Sequence, residues 1–189
     1  MSLVMGILQN DFVIFCSDSR LNGFDNNIYM VQKVFKYNEN LIYAISGDSE
    51  TIDNILEITR NICGENASYE DFSNTVEHIF RNLSLNDTKN ISIFIGGISN
   101  DNLSMKIFYV FNNKLSLETH ITPIKSNPIR KVFSSDISLH ADTIQKYFPK
   151  RAMTINEIIN SFQIILDLGS SIDTTIDDKI QYLYIKKVN

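Results

Sequence analysis

Four strand-like runs separated by very short breaks fill most of the first 47 residues, and this pattern restricts the fold more than any other feature. Residues 3–9 and 12–17 are mostly apolar, and the two-residue break Asn10-Asp11 between them is typical of a hairpin. Residues 30–37 and 41–46 make a second pair of the same kind. Because tightly turned strands must be antiparallel, the pattern excludes a doubly wound parallel sheet.

The apolar spacing then changes from the strand period to the helical period. Isoleucines and leucines between residues 52 and 62 fall on one face, with Asp48 or Ser49 expected to cap the helix and Gly64 to end it. Ser68 is the expected N-cap of a second helix. The chain therefore changes from two hairpins to a pair of helices, with residues 21–29 predicted as a loop.

The second half repeats this order of strands and helices. Strands are predicted at 91–98, 105–111, 114–121 and 129–134, and Gly96-Gly97 in the first of them indicates a bulge or a close backbone approach. Two more helices follow, one marked by Leu139, Ile144, Tyr147 and Phe148 and one opening with the capping box Thr154 to Glu157, before a last strand at 180–188. We therefore expect helices on the outer faces of antiparallel sheets, in a single domain over residues 1–189.

Composition narrows the classes of function. The chain of 189 residues is 43% hydrophobic with a net charge of −5, and its basic residues are scattered, which argues against a nucleic-acid partner. No run approaches the about 18 apolar residues of a membrane span, and no secretory signal is evident, so we expect a cytoplasmic protein without a membrane partner. The three histidines are far apart and neither cysteine sits in a CxxC motif, so no metal or cofactor is predicted.

Three motifs in the first half resemble those of proteasome β-type subunits and their bacterial proteasome-like relatives. They are Asp18-Ser19-Arg20 after the first hairpin, Lys33-Val34-Phe35 in the next strand and Ser46-Gly47 before the first helix. The resemblance covers residues 4–62, and beyond residue 100 it concerns only the order of elements. It implies an α+β fold in the form of a four-layer αββα sandwich, and an N-terminal nucleophile (Ntn) hydrolase that cleaves peptide or amide bonds.

The resemblance also assigns roles to individual residues. Ser2 falls at the position of the family's nucleophile, and its own α-amine, which titrates near neutral pH, is suited to act as general base. Lys33 favours the deprotonated hydroxyl by its charge, Asp18 holds Lys33, and the Gly47 N–H stabilises the oxyanion. Aligning the last strand places Asp173 where the family has a supporting aspartate near the amine.

Each role has a structural alternative. Asp18 and Lys33 form, on that alternative, only a structural ion pair, and Gly47 only turns a strand into a helix. Residues 133–136 and 176–178 also replace small serine- and glycine-rich segments of the family. These differences favour a catalytically inactive structural or assembly subunit, which we keep as the second hypothesis.

The resemblance also implies partners. We expect a homo-oligomer, a ring or a dimer, because subunits of the family pack through their outer helices. The substrate is expected to be a peptide or another amide, and a small-molecule amidase is the third option. Ile45 and Ser49 fall where the family has its specificity pocket, which gives that pocket an apolar character.

Overall fold

A computed structural model describes residues 3–22, 28–83, 90–123, 127–133, 146–172 and 176–187. The described part holds eleven strands and three helices. In chain order these are β1 (Val4–Leu8), β2 (Phe12–Ser17), β3 (Arg20–Asn22), β4 (Ile28–Met30), β5 (Val34–Asn38), β6 (Leu41–Gly47), α1 (Ser49–Cys63), α2 (Tyr69–Arg81), β7 (Ile91–Ser99), β8 (Asn102–Phe111), β9 (Lys114–Ile121), β10 (Ile129–Phe133), α3 (Ile155–Ile172) and β11 (Gln181–Lys186).

Two antiparallel sheets contain most of the strands. One has the order β10-β1-β2-β11, and the other has the order β5-β6-β7-β8-β9. The predicted hairpins are confirmed, because β1 pairs with β2 and β5 pairs with β6, both antiparallel. The last strand, β11, returns to pair with β2, so the first hairpin lies in the middle of its sheet, and both of its strands are buried along their whole length.

α1 begins and ends, and α2 and α3 begin, at the residues that the sequence indicates. Asp48 caps α1 by accepting a hydrogen bond from Thr51 N, and Gly64 follows its last residue with φ of 72°. Ser68 caps α2. At α3, Thr154 and Glu157 form the predicted capping box, in which each side chain accepts a hydrogen bond from the other residue's backbone N–H.

Three apolar clusters hold these elements together. The first lies between α1, α2 and the five-stranded sheet, and it includes Tyr43, Phe72, Val76, Ile93 and Phe108. The second joins α3 to the four-stranded sheet, with Met5, Ile14, Phe162, Ile165 and Leu166. The third lies where the two sheets face each other, with Val4, Phe15, Ala44, Phe94 and Met105. Burial of these side chains is the main driving force for folding.

The sheets approach each other closely at Gly96. A Cβ there would lie 2.9 Å from Phe15 Cζ and 2.9 Å from Val13 Cγ2, both on the facing strand β2. The pairing of β7 with β6 and β8 keeps a continuous register through this residue. The sequence offered a bulge or a close approach, and the structure has the close approach.

Two sequence predictions need correction in the described residues. The segment 21–29, predicted as a loop because it is rich in Asn and Gly, contains most of a small two-stranded sheet in which β3 pairs with β4. The hydrogen bond from Val31 N to Ser19 O, at 2.8 Å, extends this pairing toward the rest of the chain. The polar composition concealed strands that are only three residues long.

The second correction concerns the fold class. The expected α+β class, a four-layer αββα sandwich with a pair of helices on each side, is wrong because it predicts two full layers of helices. The structure is mostly antiparallel sheet with three helices, and α3 is the one helix described against the four-stranded sheet. The helix predicted from Leu139 to Phe148 lies mainly outside the described residues.

Candidate active site

A buried ion pair joins the ends of two elements from different sheets. Asp18 directly follows β2 and Lys33 directly precedes β5, and Lys33 Nζ lies 2.8 Å from Asp18 Oδ2. The Asp18 side chain is 0% exposed and the Lys33 side chain is 4% exposed. A pair this deeply buried loses most of its hydration, so its geometry and its further hydrogen bonds decide whether it stabilises the fold.

Asp18 also binds the beginning of β1. Its Oδ1 accepts a hydrogen bond from Leu3 N at 2.8 Å, and its own N–H donates to Leu3 O at 3.2 Å. Its Oδ2 accepts a further bond from Arg20 N at 3.1 Å. The carboxylate is therefore fixed by two backbone donors and one ammonium, and Leu3 is fixed at the ion pair.

Two residues hold Lys33 on its other sides. Gln181, the first residue of β11, accepts a hydrogen bond from Lys33 N at 2.8 Å and donates one to Val31 O at 2.7 Å. The Lys33 ammonium also donates to Arg20 O. The side-chain amide of Gln181 thus makes the two backbone hydrogen bonds that a neighbouring strand would otherwise make, one with Val31 and one with Lys33. It fixes the backbone from which the Lys33 side chain extends.

Burial moves the two pKa values toward each other. Desolvation raises the pKa of Asp18 above its usual value, against the lowering effect of the Lys33 charge and hydrogen bonds. Desolvation also lowers the pKa of Lys33, against the opposing effect of the carboxylates of Asp18 and Asp177. The lysine therefore holds its proton less firmly than an exposed lysine does, which suits a group acting near neutral pH.

Asp177 is a member of this site that the sequence analysis missed. Its carboxylate accepts hydrogen bonds from Ser19 N at 2.9 Å and from Ser19 Oγ at 2.6 Å. In the sequence, residues 176–178 stood out only as a replacement for a serine- and glycine-rich turn. The sole available signal was an acidic residue just before the last strand. Gln181, also missed, carried no signal at all.

Gly47 ends β6 close to this pair. Ile45 N, two residues earlier, donates a hydrogen bond to Lys33 O at 2.9 Å, so β6 runs beside Lys33. Gly47 has φ of +114°, a conformation that side chains with a Cβ rarely adopt, and an added Cβ would overlap the Asn90 carbonyl oxygen. The backbone at this point therefore requires glycine whether or not its N–H has a role in chemistry.

The remaining predicted site residues fall in different places. Ser2 and Asp173 lie outside the described residues. Ile45 is half-buried against the cluster beneath α1 and α2, and Ser49 is exposed at the first turn of α1. Asp18, Lys33 and Gly47 are thus the predicted residues that can be located, and the hydrogen bonds above connect the first two directly and the third through β6.

Across the described ranges, no group of three His, Cys, Asp or Glu side chains could hold a metal ion. None of the three described helices is both long enough and apolar enough to cross a membrane.

Comparison with known proteins identifies the type of fold. No protein-family model matches the chain, and no curated protein matches it. Solved structures do match it over nearly its whole length, and they show a proteasome-like fold of the ancestral β-subunit type. Anbu (ancestral β-subunit) from Yersinia bercovieri is 13% identical with a TM-score of 0.67, covering 97% of this chain and 81% of that chain.

A second similar structure is the helical assembly of the Anbu complex from Pseudomonas aeruginosa. It is 12% identical with a TM-score of 0.69, covering 98% of this chain and 81% of that chain. These structures correct the family resemblance drawn from the sequence, because Anbu proteins are proteasome-like but form a family distinct from the proteasome β-type subunits. The Asp-Ser-Arg and Lys-Val-Phe motifs therefore indicated the fold at a coarser level than the family. At these identities the likeness concerns the fold alone.

Proposed function

We propose that this protein is a proteasome-like N-terminal nucleophile hydrolase that cleaves peptide or amide bonds with the Ser2 hydroxyl. The observation that carries the proposal is the buried Asp18–Lys33 pair, whose carboxylate binds the backbone N–H of Leu3 at 2.8 Å. Ser2 is bonded to that same nitrogen, through a peptide bond of about 1.33 Å. The residue proposed as nucleophile is thus the immediate neighbour of the residue fixed at the ion pair.

The proposed reaction uses a free amine at Ser2, which requires removal of Met1. The amine takes the proton of the Ser2 hydroxyl as the oxygen attacks the amide carbonyl, and the Lys33 ammonium stabilises the developing alkoxide. The Gly47 N–H donates to the oxyanion, and Asp173 supports the amine. Collapse of the tetrahedral intermediate breaks the C–N bond, the leaving amine takes the proton, and water then hydrolyses the Ser2 ester by the same steps in reverse order.

The charge balance of the site supports this assignment. A lysine that is 4% exposed and has no carboxylate nearby would lose its proton readily. A lysine bound too strongly by a carboxylate would not stabilise charge that develops on the substrate. Here burial lowers the Lys33 pKa, and the charge and hydrogen bond of Asp18 oppose that change.

The test uses protein whose N-terminal residue is confirmed as Ser2 by mass spectrometry. Fluorogenic peptide amides should be hydrolysed by this protein, and both Ser2→Ala and Lys33→Ala should abolish the activity. Lys36→Ala is the matched control, because Lys36 lies on β5, is 50% exposed and, within the described ranges, forms an ion pair only with the exposed Glu39. Activity that survives either Ser2→Ala or Lys33→Ala would remove the proposal, and thermal melting curves show whether the variants are folded.

The second candidate is a catalytically inactive structural or assembly subunit. It is favoured by Asp177, which lies in the segment where proteasome β-type subunits have a serine- and glycine-rich turn. The Asp177 carboxylate binds Ser19, so this segment supplies no serine hydroxyl to support the Ser2 amine. Protein that begins at Ser2, is fully folded and hydrolyses no peptide amide would support this candidate over the hydrolase.

We also propose that the chain forms a homo-oligomer. The support is the similar Anbu complex from Pseudomonas aeruginosa, which forms a helical assembly. Light scattering of the purified protein should then give a mass well above 21.7 kDa. A single species of monomer mass over a range of concentrations would contradict oligomerisation without deciding whether the protein is an enzyme.

A further inference from the structure

Two distant parts of the chain meet at Ser19. Asp177 lies 158 positions away in sequence, in the segment before β11, yet both of its carboxylate oxygens bind Ser19. The serine is only 4% exposed and directly follows Asp18. Because a short bond to a charged acceptor is roughly twice as strong as a neutral one, this contact restrains the segment that carries Asp18.

Asp177 also acts on Lys33 through its charge. Burial lowers the pKa of Lys33, and the carboxylates of Asp18 and Asp177 oppose that change. These two carboxylates are the charged groups that act on Lys33 within the described residues. The other hydrogen bonds of Lys33 within the described residues are to neutral groups, namely the Arg20 carbonyl, the Gln181 side chain and Ile45 N. The Lys33 ammonium is thus bound directly by the Asp18 carboxylate, and the Asp177 carboxylate, which is hydrogen-bonded to Ser19, acts on it through charge.

We infer that Asp177 is a positioning residue for the proposed hydrolysis. It fixes Ser19, and through Ser19 the adjacent Asp18, and it supplies a second negative charge that favours the ammonium form of Lys33. This inference deepens the proposed function and rests on it, since the ammonium is the form that stabilises the Ser2 alkoxide. It assigns a role to a residue in a segment where the sequence showed only the loss of a serine- and glycine-rich turn.

The experiment compares Asp177→Asn with Asp178→Asn in full-length protein beginning at Ser2. Asp178 is the adjacent exposed carboxylate, so its variant is matched in charge and in position along the chain. The Asp177→Asn variant keeps an oxygen acceptor for Ser19 but loses the charge, whereas Ser19→Ala loses the hydroxyl bond and keeps the charge. Two quantities are measured for each variant: the pH profile of kcat, and the titration of the Lys33 side chain by NMR of its labelled Cε.

Asp177→Asn should lower the Lys33 pKa, because it removes one of the two negative charges that oppose the effect of burial. The alkaline limb of the kcat profile should move to lower pH by the same amount, and kcat at neutral pH should fall about 10- to 100-fold. Ser19→Ala should reduce kcat while moving the Lys33 titration less. Asp178→Asn should leave both quantities at their wild-type values.

The role of Asp177 would be overturned by a Lys33 titration that is the same in Asp177→Asn and Asp178→Asn. A fall in kcat without a shift of that titration would make Asp177 a purely structural clamp, and would overturn its role at Lys33. If the wild-type protein hydrolyses no amide, the proposed function fails, but the NMR titration still decides whether Asp177 controls Lys33. The two failures are therefore distinguishable.

Discussion

Removing the ammonium from the buried pair tests the energetics of the site. In Lys33→Met the side chain keeps its approximate volume, but Asp18 is left at 0% exposure with only the backbone donors of Leu3 and Arg20. At 2.8 Å and an effective dielectric constant of about 20, the direct attraction that is lost is about 6 kcal/mol, part of which is offset because the lysine no longer has to be desolvated. Breaking one half of a buried pair costs about 3–5 kcal/mol.

The assay is equilibrium urea unfolding at pH 7, followed by circular dichroism. Lys33→Met should lower the free energy of unfolding by about 3–5 kcal/mol, equivalent to a melting temperature lower by about 6–20 °C for a chain of this length. The double variant Asp18→Asn/Lys33→Met removes both charges and keeps an oxygen acceptor for Leu3 N, so it should regain most of this loss. Lys36→Met, in the exposed pair with Glu39, should stay within about 0.5 kcal/mol of wild type.

The same variant has a predictable pH dependence. Without Lys33 the causes that lower the Asp18 pKa are reduced to its backbone hydrogen bonds, and desolvation raises that pKa further above the ordinary value of 3.8. The folded state then binds more protons than the unfolded state between these two values, so the stability of Lys33→Met falls as pH rises through that window. Its deficit relative to wild type should therefore be smaller at about pH 5 than at pH 7. A single variant within about 1 kcal/mol of wild type, or a double variant less stable than the single one, would refute the account.

Three further predictions, each for a single substitution outside the ion pair, can be checked by the same unfolding assay. Gly47→Ala should destabilise the protein by more than about 1–3 kcal/mol, because of its positive φ and the overlap of the added Cβ with the Asn90 carbonyl; wild-type stability would contradict the local geometry. Gly96→Ala should cost about 1–3 kcal/mol through overlap with the Phe15 ring, and a second change, Phe15→Leu, should recover part of it. Thr154→Ala should cost about 0.5–2 kcal/mol through loss of the capping box with Glu157, and an unchanged unfolding midpoint would exclude that role.

The local features of the fold could be predicted from the sequence because they depend on neighbouring residues. Hairpins follow from short breaks between apolar runs, and the ends of α1 follow from Asp48 and Gly64, whose cap and positive φ are properties of single positions. The pairing of Asp18 with Lys33 was implied by the resemblance to proteasome β-type subunits, because both residues stand in the motifs that carry it.

The features that the sequence did not reveal depend on distant or very short segments. The contact of Asp177 with Ser19 joins residues 158 apart, and no periodicity in the polar segment before β11 indicates it. Strands β3 and β4 have only three residues each, too few for alternation to be recognised. The number of helical layers and the family were predicted wrongly, because motifs shared by a whole fold do not distinguish the families that have it.

The most direct measurement of the central claim is the site of acylation in protein that begins at Ser2. The protein is incubated with an activated acyl ester, and the modified residue is located by tandem mass spectrometry. We predict one acyl group on the Ser2 hydroxyl in the wild-type protein, and none on Ser2 in Lys33→Met at a temperature where that variant is folded. An unmodified Ser2 in folded wild-type protein, or equal acylation of Ser2 in both proteins, would contradict the claim that the Asp18–Lys33 pair activates an N-terminal nucleophile.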